Sequence, residues 1–218
     1  MKQQQIKVRD YFSYSQMSSY LYSPSRFIKN YYYGEKQESC YMDLGTKLHE
    51  SLRYRRINKS NKEIEKIRQQ VPIFEEYEKE LKVKFKEIPL LAFFDGFDKK
   101  GFTLQEIKTG KTPSLKTWES QMKFYSLMLW CKYKKIPNSI TLYYCRTELN
   151  DNDQLVLTGD VKVYPIKITI QDILQFSAEL VKTYNEIQRL IDNEYQQFGI
   201  LPAKRSANGR NNHNNKLK

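Results

Sequence analysis

In the run TLQEIKTGK, the two-residue repeat of an extended strand puts Glu106 and Lys108 on one face and Ile107 on the other, toward a core. A carboxylate beside an ammonium can bind a cation and orient or move a proton, although an exposed ion pair looks the same and is far commoner. Eleven residues before Glu106, the run LLAFFDGFDKKG places Asp95 at the end of a strongly apolar stretch. A packed strand would hold its carboxylate at the strand terminus. Asp98 competes for the same role, but it begins a DKKG turn with Gly101 at the fourth position, and turn chemistry accounts for it. Asp95 is therefore the acid assigned to the site. Carboxylates of this kind are hard oxygen ligands that suit Mg²⁺.

Two further groups flank these. His49, in GTKLHES, falls on a predicted helix among apolar neighbours, where a half-buried histidine is the plainer reading. The chain has two histidines, and the other, His213, sits in a polar tail. Gln121 and Tyr125, in QMKFY, are four residues apart and share one side of a predicted helix, as they would on any polar helix surface.

The elements that must position these groups follow from periodicity and from capping residues. Ser15 is expected to cap a short helix ending at Tyr22, and Pro24 to open a second one reaching about Tyr33, with Gly34 as its stop. Leu44, Leu48 and Leu52 predict a helix from Asp43 to about Arg56, and residues 60 to 80 predict another, charged helix. Strands are expected at Leu81 to Ile88, Leu90 to Phe97 and Phe102 to Lys108, forming an antiparallel meander. A helix from about Trp118 to Tyr133, a strand from Ser139 to Arg146, a polar ELNDND turn and a strand from Val161 to Ile168 follow. Thr169 then starts a long helix from Ile170 to about Gln196. This order predicts an α+β fold, with a central mixed sheet flanked by helices, an N-terminal helical addition and a long C-terminal helix.

Size and composition bound the rest. A chain of 218 residues suits a single domain, here residues 1–200, with 201–218 read as a disordered tail carrying Lys204, Arg205, Arg210, Lys216 and Lys218 and no acid. The net charge is +12, and taking the tail's five basic residues away still leaves +7. A polyanionic partner fits this charge, because each neutralised phosphate releases counterions, although the abundance of Lys, Asn, Ile and Tyr also fits an A/T-rich coding bias. Cys40, Cys131 and Cys145 are odd in number and lack metal-type spacing, which points to a reducing compartment. No apolar signal core and no stretch of about 18 apolar residues is present, so a cytoplasmic location and no membrane partner are expected.

Taken in order, SYSQMSSYLYSPSRF, GTKLH, AFFD, EIKTGK and QMKFY resemble the RecB-like branch of the PD-(D/E)XK nuclease superfamily, over residues 13 to 200. The resemblance implies a restriction-endonuclease-like fold and a Mg²⁺- or Mn²⁺-dependent DNA nuclease, an exonuclease or a repair and recombination enzyme. It implies that His49, Asp95, Glu106 and the Ile107 carbonyl bind the ion, with Asp95, Glu106 and Lys108 as the catalytic set. Lys108 would orient or deprotonate the attacking water, the latter only with its pKa lowered. Thr109, Lys111, Gln121 and Tyr125 would contact DNA or brace the site. DNA is the implied partner, with a helicase or recombination protein as a candidate second one.

The chain departs from that branch where many members carry an iron–sulfur cluster held by four cysteines. Ser23 stands before Pro24, and the tail has no cysteine, so no cluster is expected and the three cysteines read as structural. Gly110-Lys111-Thr112 lacks the rest of a nucleotide-binding phosphate loop, so any motor belongs to another chain. The competing reading is a non-catalytic DNA-binding module on a nuclease fold, motivated by the charge and by 17 tyrosines available for stacking. Retention of Asp95, Glu106 and Lys108 speaks against it.

Overall fold

Alternating side chains and turn residues generate a five-stranded mixed sheet in this computed structural model, which describes residues 9–35, 40–54 and 61–198. The strands are β1 (Glu76–Phe85), β2 (Ile88–Asp98), β3 (Thr103–Gly110), β4 (Ser139–Leu149) and β5 (Leu155–Ile166), lying side by side in chain order. The first three form the expected antiparallel meander, β4 runs parallel to β3, and β5 returns antiparallel. A parallel neighbour requires a crossover, and α5 (Leu115–Tyr133) supplies it.

Helices cover both faces. On one face, Leu90, Ala92, Phe94 and Leu104 bury against Phe124, Leu127 and Met128 of α5 and Phe176 and Leu180 of α6 (Ile170–Phe198). The same cluster takes in Met17 of α1 (Tyr14–Tyr22) and Phe27 of α2 (Pro24–Phe27), whose chain continues as a π-helical turn at Ile28–Tyr32. On the other face, Leu48 and Leu52 of α3 (Cys40–Tyr54) and Ile64 and Ile67 of α4 (Lys62–Gln70) pack over Ile107, Tyr143 and Cys145. Each fully buried side chain of this size contributes about 1.5–3 kcal/mol. The architecture is thus the predicted α+β class, with its mixed central sheet, N-terminal helices and long C-terminal helix.

Boundaries differ where local signals were silent or ambiguous. Ser13, extended, precedes α1, so the cap falls two residues earlier than Ser15. The helix expected over 60 to 80 stops at Gln70, because Pro72 cannot continue it, and β1 begins at Glu76. The strand expected at Leu81 to Ile88 instead turns at Lys86 and Glu87, both with positive φ (44° and 66°), a primed hairpin turn without the usual Asn-Gly spelling. β5 begins at Leu155 rather than Val161, since Asn150 closes the turn by accepting from the amides of Asn152 and Gln154. α5 starts at Leu115, ahead of Trp118. Thr169 opens α6 as predicted: it exchanges hydrogen bonds with Asp172, Thr169 Oγ1 donating to Asp172 Oδ2 at 2.6 Å and accepting the Asp172 amide at 3.2 Å. Arg55, Arg56 and the tail from 201 to 218 lie outside the described residues.

The N-terminal helices are tied to the end of α6. The Tyr33 hydroxyl donates to Glu194 at 3.0 Å, and the Tyr32 and Tyr195 hydroxyls lie 3.4 Å apart. Among the described residues no helix is long and apolar enough to cross a membrane.

Candidate active site

The sheet forks where the chemistry was predicted. The β2–β3 ladder runs only from Asp98↔Thr103 to Gly96↔Gln105, and past Gly96 the two strands separate. β1 and β2 also break their pairing there, since the ladder steps from Tyr77↔Gly96 to Lys79↔Phe94 and leaves Glu78 and Asp95 unpaired. Glu78 sits at φ 47°, a left-handed conformation that costs a non-glycine residue about 1–2 kcal/mol. Alternation along β2 slips at this point. Leu90, Ala92 and Phe94 bury on the α5 side, whereas a Cβ on Gly96 would come 2.3 Å from the Phe74 ring in the cluster of the opposite face.

Asp95 is released by this break, and its carboxylate occupies the gap. Its Oδ2 accepts the Ile107 amide at 2.8 Å, in the place a β2 carbonyl would otherwise fill. A strand residue directs its N–H and C=O to the same neighbour, so the Ile107 carbonyl opens on the same gap. From α3, His49 Nδ1 lies 3.4 Å from Asp95 Oδ1. α3 crosses β3 at Gly45, where an added Cβ would sit 3.5 Å from Thr109 Oγ1.

From the other face come Glu106 and Lys108. Glu106 is 2% exposed, and its Oε1 accepts from Lys108 Nζ at 2.6 Å and from Gln121 Nε2 at 2.9 Å. Gln121 Nε2 also lies 2.6 Å from the Tyr125 hydroxyl, which in turn donates to the Phe93 carbonyl at 3.0 Å. The four-residue spacing on α5 thus becomes a brace that fixes the Glu106 carboxylate to β2. Its second oxygen, Oε2, is buried without a hydrogen-bond partner.

The electrostatics follow from burial and crowding. Burial pushes Asp95 up to about 6, against the pull of Lys108 and the Ile107 amide, and Glu78 adds to the rise. Burial first and then the Asp95 charge push Glu106 up to about 7. His49 is lowered, chiefly by burial, which favours the neutral imidazole. Burial also pulls on Lys108, but Glu106 and Asp95 outweigh it and leave the amine above the ordinary lysine value. Without a cation, Lys108 is an ammonium donor between two carboxylates.

Among the described residues no group of three His, Cys, Asp or Glu side chains is arranged as a metal cage. The donors nonetheless have the character that a hard divalent cation requires. Two carboxylates are held above their ordinary pKa chiefly by burial, with the Asp95 charge adding to the rise of Glu106, one buried oxygen has no donor against it, and a neutral imidazole lies beside them.

The structure therefore brings His49, Asp95, Glu106, Ile107, Lys108, Gln121 and Tyr125 together. Thr109 lies half-buried under α3, and Lys111 is exposed past the end of β3. Asp98 accepts the Lys100 and Gly101 amides at 2.9 and 3.2 Å, as a turn residue does. Glu78, paired with Arg53, lies outside every motif, and Tyr14, whose hydroxyl is close enough to Lys108 for each to influence the other's charge, lies within the serine-rich segment without a role assigned to it. Glu78 was hidden in the charged alternation EYEKELKVKF, which gives no sign of a broken ladder. Cys145 is buried on the α3 side of the sheet and its thiol is pushed up to about 12 by burial. Cys131 packs at the opposite cluster, where burial also raises it. The side chain of Cys40 lies outside the described residues.

No family model and no curated protein sequence matches this chain. Among solved structures, it is similar to a Eubacterium rectale protein bearing the name "Putative exonuclease", with a TM-score of 0.55 and 9% identity over 85% of this chain and 82% of that one. It is also similar to SSO0001, with a TM-score of 0.49 and 16% identity over 85% of this chain and 78% of that one. The chain shares the fold of the first, a nuclease-like α+β architecture built on a five-stranded mixed sheet.

Proposed function

We propose that this chain is a Mg²⁺- or Mn²⁺-dependent DNA nuclease of the RecB-like PD-(D/E)XK type, acting as an exonuclease in repair, recombination or mobile-element processing. The observation that carries the reading is the convergence of Asp95, Glu106 and Lys108 at the β2–β3 fork, with Glu106 Oε2 buried and unpartnered. The exonuclease name of the fold neighbour supports the direction of the reading.

Asp95, Glu106, the Ile107 carbonyl and His49 would hold the cation. When bound, it polarises a phosphodiester, activates water and offsets charge in the transition state. The protein's own contribution is positional. The Ile107 amide fixes Asp95 through one oxygen and leaves the other toward His49. Gln121 and Lys108 fix Glu106 through Oε1, so that Oε2 is the free ligand oxygen. Lys108 donates to Glu106 and would donate to a phosphate oxygen or orient the nucleophile, and would take its proton only where bound cations lower its pKa. Half-buried Cys131 and buried Cys145 pack in clusters on opposite faces of the sheet, which favours a nuclease without an iron–sulfur staple.

The test is degradation of end-labelled linear and circular DNA in Mg²⁺ and in Mn²⁺. Linear DNA degraded from its ends, with activity lost in Asp95→Ala and Lys108→Ala, is the expected result. Cleavage that persists in both variants, or wild-type protein that binds DNA without cutting it in either metal, overturns the reading; the second outcome leaves the DNA-binding module.

A further inference from the structure

Beside the fork, α1, the α2 segment, β2 and α5 enclose a groove of about 880 Å³ that ends at Lys108, Gln121 and Tyr125. Its lining contains Arg9, Arg26 and Lys108 and no carboxylate. Two other cavities of the molecule are unlike it: one is lined by Glu50, Glu63 and Glu148 with Lys47, the other by Glu119, Asp172 and Glu179 with Lys116 and Lys123. A polyanion is therefore favoured in this groove over the other two, whose linings carry more acids than bases.

The walls carry chemistry suited to a phosphate backbone and to bases. Ser15, Ser18, Ser19 and Tyr22 recur on α1 at the spacing that lines one helix face, and all four lie on the groove. That spacing usually builds an apolar stripe; here it presents hydroxyls, while Gln16 and Met17 take the buried side. Tyr22 is 78% exposed and Phe93 is 51% exposed, each a large ring open to solvent. Arg26 lies 5.5 Å above the Tyr22 ring and Arg9 4.8 Å above the Tyr31 ring, so cations and aromatic faces alternate along the wall. Tyr31 belongs to the π-helical turn Ile28–Tyr32, a distortion common at functional sites.

We propose that this groove is the track of one DNA strand running to Lys108, with its phosphates on the α1 hydroxyls and the two arginines and its unpaired bases stacked on Phe93 and Tyr22. Duplex DNA fits less well, because its bases are already stacked on one another and cannot offer a face to either ring. The nuclease reading supplies the destination of the strand; the binding chemistry does not depend on it. Phe93 also links the two, since its own carbonyl accepts the Tyr125 hydroxyl of the brace on Glu106.

The experiment measures fluorescence anisotropy of the full chain with a short labelled single-stranded oligonucleotide and with a blunt duplex, in EDTA so that nothing is cut. Single strands are expected to bind more tightly. Phe93→Ala and Tyr22→Ala should each weaken that binding by about tenfold, as loss of one stacked base does, and Phe93→Trp should retain it. Arg26→Gln should make the logarithmic salt dependence shallower by roughly 0.7, the value for one phosphate on a single strand. Melting temperatures confirm that the variants fold, and Phe93→Ala leaves the backbone carbonyl in place.

Equal affinity for duplex, tighter binding of an RNA strand of the same sequence, or wild-type affinity in both alanine variants overturns the proposal. The two readings fail separately. Protein that shows the full binding pattern but cuts nothing in Mg²⁺ or Mn²⁺ keeps the groove and loses the nuclease. Protein that cuts DNA while both alanine variants bind like wild type keeps the nuclease and loses the groove.

Discussion

The Asp95 carboxylate accepts the Ile107 amide at 2.8 Å, a side chain standing in for a β-strand carbonyl at the point where β2 leaves β3. Asp95 is thus both part of the strand pairing and a candidate cation ligand, and the two roles separate by substitution. Asp95→Asn keeps an acceptor for the amide and removes the charge, so it should fold at least as stably as wild type while losing DNA cleavage by about a hundredfold or more. Asp95→Ala also leaves the Ile107 amide unpaired and should be less stable than the asparagine variant by about 1–3 kcal/mol. Thermal melts beside an end-labelled DNA assay check both; an alanine variant as stable as the asparagine one removes the structural half of the argument.

Asp95 and Glu106 also fix a pH dependence of the metal-free protein. Unfolded, they titrate near 3.8 and 4.5; folded, they are pushed up to about 6 and about 7. Between those limits the folded state holds more protons than the unfolded one, so stability is greatest below about 4.5, apart from other acid-labile groups, and falls as pH rises through about 7. His49, with its lowered pKa, works in the opposite sense and gains stability as pH rises through about 6.5, but the two carboxylates outweigh it, so the melting temperature in EDTA should drop by a few degrees from pH 5.5 to pH 8, each ~1 kcal/mol shifting it ~2–4 °C. Glu106→Gln should flatten this trend, and added Mg²⁺ should stabilise the wild type most at the alkaline end. A melting temperature that rises over the same range would contradict the assignment of buried, proton-holding carboxylates.

The brace on Glu106 gives a test of positioning. Gln121→Leu removes one of the two donors to Oε1, and Tyr125→Phe removes only the hydroxyl that joins Gln121 to the Phe93 carbonyl. Activity should fall by about tenfold or more for Gln121→Leu and by less for Tyr125→Phe, with stability changes near ~1 kcal/mol. Because neither residue is placed to bind the cation, the Mg²⁺ concentration giving half-maximal activity should shift little in Tyr125→Phe. A shift as large as that of Glu106→Gln would mark Tyr125 as part of the ion's surroundings.

Much of this arrangement was legible in the sequence, and what was not has a common physical cause. Periods of two and of 3.6 residues placed Glu106 and Lys108 on one strand face, His49 on α3, and Gln121 with Tyr125 on α5. Leu48 and Leu52 marked the core side of α3 correctly, and Thr169 marked the start of α6. The fork itself left no trace in periodicity, because it arises from a broken register: Glu78 at positive φ, Asp95 unpaired and the slip of alternation at Gly96 are relations between strands. Glu78 reads as one more charge in an exposed strand for the same reason. The turn at Lys86 and Glu87 was missed because two long polar residues occupy a backbone shape that glycine or asparagine normally announces. The raised pKa of Lys108 depends on two carboxylates brought from different strands, which no local spacing conveys.

Gly96 makes the slip in β2 experimentally accessible. A Cβ there would lie 2.3 Å from the Phe74 ring, which itself packs against Tyr77 and Tyr143 at 4.8 and 6.1 Å between ring centroids. The ring cannot retreat without disturbing β1 and β4, so Gly96→Ala should destabilise the protein by about 1–3 kcal/mol and displace the neighbouring Asp95. Phe74→Leu should cost stability by itself, through lost contacts, yet relieve the clash when combined with Gly96→Ala. The double variant should therefore be more stable than the sum of the single effects by about 1 kcal/mol or more, the sign of a shared packing conflict. Strict additivity in that cycle would mean that Gly96 is required by backbone shape alone, and that the Phe74 ring does not hold β2 at the fork.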